Sequence, residues 1–148
     1  MSKNIRLILL LASFSLVYAQ EKSIIHIQNS DQERVPFVVE VVTEPKDQMK
    51  GLMYRKTMPD QYGMLFIMPK PRPTSFWMRN TYIPLDMIFI DENKVIVDIH
   101  TRMDVLSDKP TVINKPIKYV FEINAGEAKS LGIEEGSQVD VSKVEKAY

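Results

Sequence analysis

The chain has 148 residues with 19 basic and 19 acidic side chains, nine methionines, no cysteine and a hydrophobic fraction of 45%. Without cysteine there can be no disulfide, thiol nucleophile, thiolate metal site or lipidated cysteine behind an export signal. Charges of both signs are interspersed, so no basic stripe recruits nucleic acid or an anionic membrane surface.

Lys3 and Arg6 precede an apolar run, and Val17-Tyr18-Ala19 closes it with small residues at the first and last positions, the pattern of a signal-peptidase site. The thirteen residues from Leu7 to Ala19 fall short of the ~20 needed to cross a bilayer. Residues 1–19 therefore read as a cleaved secretory signal. Gln20–Tyr148 reads as a single domain, exported to the periplasm or the medium, with no stable membrane insertion after cleavage. Loss of Lys3 and Arg6 leaves that domain with two more acids than bases.

The runs 23–28 and 35–42 are rich in isoleucine, valine and phenylalanine, as strands are. The second is apolar on both faces except at Glu40, which marks a central strand. Thr43 as N-cap, Pro45 in the first turn, Glu44 and Asp47 near the positive end, and Met49, Leu52 and Met53 at helical spacing predict a short helix over 44–54. Gly51 inside it costs roughly 1 kcal/mol against alanine, which points to close approach of another backbone. Strands follow over 63–68, 74–78, 85–90 and 95–100, separated by Pro69-Lys70-Pro71-Arg72-Pro73, by 80–84 and by the hairpin turn Asp91–Lys94. Residues 104–116 carry two prolines and little periodicity and read as a surface loop. A strand over 119–124, a helical turn over 127–131 stopped by Gly132, and a closing segment over 138–144 complete the chain. The sum is a mainly-β domain: a compact antiparallel β-sandwich or barrel with one short helix after the second strand.

No G-x-S-x-G motif, phosphate-cradling glycine loop or recurrent metal-ligand spacing is present. Two carboxylates stand among apolar residues: Asp86 shares a strand face with Ile88 and Ile90, and Glu122 shares one with Val120. Facing one cleft, they would suit a general acid and base, as in glycoside hydrolysis. The structural alternative is a salt bridge for each, with Arg55, Arg79 or Arg102 as partner, or capping of backbone amides. Trp77, followed by Arg79, Asn80 and Thr81, offers a stacking platform with polar neighbours, or else a core indole beside a self-bonded turn. Seven methionines between Met49 and Met87 recommend either a soft Cu(I) site or gap-filling core residues. Asp98 and His100 share a strand face but supply only half of a metal site.

The words GLMYR, GMLF, FWMRNT, IPLDMIFID and YVFEINAG, in this order, resemble the bacterial and archaeal family called domain of unknown function 192, from about Phe37 to Val141. The resemblance implies a small, mainly-β single domain, frequently exported, and supplies no activity. Its recurring polar positions fall on Thr43, Arg55, Asn80, Thr81, Asp86 and Glu122, and its recurring apolar or backbone positions on Gly51, Gly63, Trp77, Pro84 and Gly126.

The leading expectation is a non-catalytic binding or accessory domain that takes a small molecule or an envelope component through Arg55, Trp77, Asn80, Thr81, Asp86 and Glu122, with no cofactor and no metal. The alternative is a carboxylate-dependent hydrolase of envelope glycans with Asp86 and Glu122 as its catalytic pair. A third is a methionine-based copper-binding protein. Oligomeric state is not encoded in any feature of the chain read this way.

Overall fold

A computed structural model of the protein describes residues 22–148, and the expected export signal over 1–19 lies outside them. The first two apolar runs form β1 (Lys22–Gln28) and β2 (Arg34–Val42), paired antiparallel. Helix α1 (Pro45–Lys50) leads through a long crossover to β3 (Tyr62–Phe76), which runs parallel to β2. Strands β4 (Leu85–Ile90), β5 (Ile96–His100) and β6 (Thr111–Asn124) follow, then α2 (Glu127–Ser130), β7 (Val139–Asp140) and α3 (Ser142–Glu145).

All seven strands belong to one sheet, in the order β5-β4-β6-β3-β2-β1-β7. The fold is mainly β, as the sequence implies, but it is one sheet rather than two stacked ones. The sheet curls until its outer strands meet at one end. There Val139 N–H donates to the Lys94 carbonyl (2.9 Å), Ile96 N–H to that of Ser137 (3.0 Å) and Gly136 N–H to that of Ile96 (2.8 Å). The result is a half-barrel. Its inner face collects apolar side chains from all seven strands, among them Ile27, Val39, Leu65, Ile88, Ile96, Phe121 and Val139, with Val144 of α3 as a plug. The outer face carries a second core, built from Val42, Met64, Phe66, Met87, Phe89 and Val120 and covered by Leu52, Met58, Met78 and Ile83 from the connections.

Three local expectations change. The helix predicted over 44–54 stops at Lys50, because Gly51 takes φ 47°, ψ −133°, a conformation open essentially to glycine. The close neighbour there is a side chain rather than a backbone: a Cβ on Gly51 would lie 3.3 Å from the Phe66 ring. The PKPRP run does not divide two strands but continues β3 through two register shifts. Pairing with β2 ends at Phe66, so the prolines fall where one side of β3 is an edge and a missing donor costs little. Residues 111–116, read as loop, are the start of β6 and pair with the far end of β3. The closing segment divides into β7 and α3.

Gly63 shows why β3 and β6 can lie together. A Cβ at that position would stand 2.3 Å from the Glu122 carbonyl oxygen and 2.5 Å from the Phe121 ring. Only glycine admits that approach, and Glu122 is the residue it brings in.

Candidate functional site

Parallel neighbours need a crossover, and the one joining β2 to β3, residues 43–61, passes over the outer face. Beneath its Pro45–Met53 portion lies a cavity of about 310 Å³. Leu52, Met53, Phe66, Met68 and Phe76 make its apolar wall, Trp77 and Thr81 its far side, and Glu122 is exposed to it from the sheet.

Register explains how Glu122 comes to be there. Met64 of β3 and Met87 of β4 are its direct partners on either side, with Glu40 beyond Met64 and His100 beyond Met87. Paired residues project to the same face, so one row runs Glu40, Met64, Glu122, Met87, His100 across the outer side of the sheet. The two carboxylates of this row meet opposite fates. Glu40 takes a two-pronged ion pair from Arg55, with Nη2 to Oε2 at 2.6 Å, and accepts the Tyr62 hydroxyl at 2.8 Å. The Arg55 hydrogen bond holds its pKa below the usual carboxylate value, while burial pushes the Tyr62 hydroxyl up to about 12. Glu122 is flanked by thioethers, which have no donor to offer. Among the described residues no charge or hydrogen bond offsets its burial, which pushes its pKa up to about 8. At neutral pH it is largely a neutral acid with one proton to donate.

Of the polar side chains that line the cavity, two have their donors engaged elsewhere. Gln48 Nε2 bonds the carbonyls of Ile67 (2.9 Å) and Val42 (3.3 Å), and the Thr81 hydroxyl bonds the Arg79 carbonyl (3.1 Å). Tyr54, Asn80 and Leu106, around the rim, all have left-handed φ of 66°, 52° and 56°. These conformations are pinned by Tyr54 N–H to the Asn80 carbonyl (2.8 Å), Asn80 Nδ2 to the Tyr54 hydroxyl (2.9 Å) and Leu106 N–H to the Thr81 carbonyl (3.1 Å). Such backbone is uncommon for tyrosine and leucine.

The six candidate residues therefore separate. Trp77, Thr81 and Glu122 line the cavity, with Trp77 41% exposed and Arg79 stacked 4.3 Å from its ring centroid. Asn80 braces the rim through Tyr54. Arg55 lies in the adjoining depression and is engaged by Glu40 rather than by Asp86 or Glu122. Asp86 is elsewhere. It pairs in register with Ile123, which points inward, and is fully buried on the face opposite Glu122. Its carboxylate accepts Arg102 N–H (2.9 Å), Gly126 N–H (2.8 Å) and Ala128 N–H (3.2 Å), the capping role that was the structural alternative. Asp86 and Glu122 thus share no cleft.

Among the methionines, Met58, Met64, Met68, Met78 and Met87 are buried in the outer core, while Met49, Met53 and Met68 border the cavity. His100 and Lys115 both lie against Asp98, at 3.4 and 3.5 Å. Sequence reasoning missed Leu52, Phe66, Met68 and Phe76 as cavity wall and Glu40 as the partner of Arg55. The lone carboxylate in the otherwise apolar β2 run was the available signal for the latter.

A small half-barrel with a crossover roofing a cavity on its outer face is the class that fold and site define. The chain belongs to the DUF192 family (Uncharacterized ACR, COG1430), whose model matches residues 16–141. Among solved structures, it is similar to a Sinorhizobium meliloti 1021 protein described as "a putative transcription regulator", at 35% identity and a TM-score of 0.80, covering 82% of this chain and 94% of that one. It is also similar to a protein of unknown function from Novosphingobium aromaticivorans DSM 12444, at 33% identity and a TM-score of 0.79, covering 84% and 89%. No curated protein matches the chain.

Proposed function

We propose that the protein is an exported, non-catalytic binding domain that holds a small molecule in the cavity between the β2–β3 crossover and the sheet. The observation that carries this reading is Glu122, a buried carboxyl with no hydrogen-bond or charged partner among the described residues, exposed to a cavity of about 310 Å³ with an apolar wall. That volume is at the lower end for small-molecule sites, and an apolar wall with a few polar groups fits binding with defined orientation. A carboxyl set among apolar groups is costly to ionise unless a donor or an opposite charge meets it. A paired-carboxylate hydrolase has no such support, since Asp86 is spent on backbone amides across the sheet.

Export rests on the signal read in residues 1–19, and its test is the mass of the mature chain recovered from periplasm or medium, which should begin at Gln20. Basic and acidic residues are equal in number and interspersed, which offers no basic surface for DNA of the kind a regulator such as the Sinorhizobium relative's description names would need.

The binding reading is tested by the melting temperature of the purified protein against amines, amino acids and envelope sugars. A ligand at a hundred times its Kd adds about 2.7 kcal/mol, a shift of several degrees for a domain of this size. Loss of that shift in Trp77→Ala or Glu122→Gln places the ligand in the cavity, whereas no shift across the panel overturns the reading. Met49, Met53 and Met68 on the same wall favour Cu(I) as a second occupant. A Cu(I) titration in the same assay separates it from an organic ligand.

A further inference from the structure

We infer that the ligand of this cavity is a small organic monoamine, whose ammonium group pairs with Glu122 while its apolar body lies against Phe66, Phe76 and Met68. The inference rests on the binding reading above and names its ligand class.

Three observations converge on it. The first is the apolar setting of the carboxyl itself. The carboxyl faces thioethers on both sides along its row, and Gln48 and Thr81 have given their hydrogen bonds to carbonyls. An ammonium ion set against the carboxylate form of Glu122 brings three donors together with the opposite charge. The second is the wall. Phe66 and Phe76 meet edge to face at 5.2 Å beside the cavity, and Trp77 stands at its edge. Aromatic rings around a carboxyl are the chemistry that stabilises an organic cation twice, through charge and through the ring quadrupole.

The third observation sets the number of charges. Lys50 and Arg72 border the cavity as exposed side chains, and neither is in an ion pair among the described residues. They oppose a second positive charge at the outer end of a ligand. The site therefore favours one amino group on an apolar stem over a diamine of equal length.

Proton accounting follows from the same geometry. The other charged or titratable groups around Glu122 are Glu40, held by Arg55 and Tyr62, on one side, His100 on the other, and Lys50 and Arg72 at the mouth. The empty site holds Glu122 as the neutral acid at pH 6.5. Docking of an ammonium ion displaces that proton to solvent, leaving the carboxylate in an ion pair. Affinity should then rise about tenfold per pH unit toward pH 8 and level off above it.

The test is calorimetric titration of the purified protein with cyclohexylamine, phenethylamine and hexylamine, with the neutral analogues cyclohexanol and 2-phenylethanol, and with 1,6-diaminohexane. Two buffers of different ionisation enthalpy at pH 6.5 report the proton. The expected result is that at least one monoamine binds, releases close to one proton and loses at least tenfold in affinity in Glu122→Gln, with 1,6-diaminohexane weaker than hexylamine. Trp77→Ala, on an exposed side chain, provides a second variant that leaves the core intact and should weaken the same amine. If the alcohols bind as well as the amines, or Glu122→Gln binds them unchanged, the monoamine inference falls while the binding reading stands. If nothing in the panel or among the wider ligands binds at millimolar concentration, both fall.

Discussion

Two acidic residues that look alike in sequence have opposite physics in the fold, and each makes a prediction. Glu122 has a folded pKa of about 8 against 4.5 when unfolded, with burial as the cause. Between those values the native state holds more protons than the unfolded chain, so stability falls as pH rises through that window and levels off above it. At pH 5 Glu122→Gln should melt within a few degrees of wild type. By pH 9 the variant should be the more stable one, by a margin of up to roughly 3–5 kcal/mol. Urea unfolding of both proteins from pH 5 to pH 9 checks this, and parallel pH profiles would mean that the carboxyl is solvated or paired after all. Asp86 differs in its partners. It is a carboxylate held by three backbone amides, and Asp86→Asn turns one acceptor oxygen into a donor aimed at N–H groups. Equilibrium unfolding should show a loss of about 2–4 kcal/mol, with amine affinity of the folded variant unchanged. An affinity loss matching that of Glu122→Gln would instead implicate Asp86 in the site. Both residues were legible as carboxylates among apolar neighbours, and the facing of each strand was read correctly. Their separation was not legible, because it depends on the register of β4 on β6, which no local pattern specifies.

At the scale of elements, the crossover between β2 and β3 does the decisive work. Its existence follows from the parallel pairing of those two strands, and its position puts Leu52 into the outer core and Gly51 over Phe66. The sequence disclosed the helix at the start of the crossover but overran its end, because Met49, Leu52 and Met53 keep helical spacing past the point where the backbone turns. Leu52 is buried not as a helix face but as an anchor of the turn that follows. The proline-rich part of β3 misled in the opposite direction, since an edge tolerates prolines that a central strand would not. Gly51→Ala places a Cβ in a strained conformation and against the Phe66 ring. Its cost should be about 1–3 kcal/mol, and the displaced turn should weaken cavity binding at the same time. Gly63→Ala is more severe, since the clash is with the Glu122 backbone and with a packed ring. That variant should fail to reach the native fold or lose more than about 3 kcal/mol, seen as lost cooperative unfolding in near-UV circular dichroism.

For the whole molecule, the composition pointed to a β domain without staples, and that much was readable because apolar alternation and turn residues are local. The choice between a sandwich and a barrel was not, since it turns on whether the last short segment finds the edge of β5 or packs elsewhere. In the structure it finds it. The junction consists of three backbone hydrogen bonds around Lys94, Ile96, Gly136 and Val139, with Lys94 also 3.2 Å from Glu145 and the Tyr119 hydroxyl donating to Glu145 at 2.6 Å. The centre of the sheet is different in kind: β3 and β6 pair over most of their length, and their side chains belong to both cores. A seam this short should open without unfolding the rest. Amide exchange at Ile96, Gly136 and Val139 should therefore proceed through a local opening, faster than at Leu65, Val120 and Phe121, and with little response to denaturant. Glu145→Ala, which removes the contacts to Lys94 and Tyr119, should accelerate exchange at the seam several-fold and leave the central amides bounded by global unfolding. Equal protection at both places, with equal denaturant dependence, would show that the half-barrel closes as part of one cooperative unit and that the seam is as old in folding as the sheet itself.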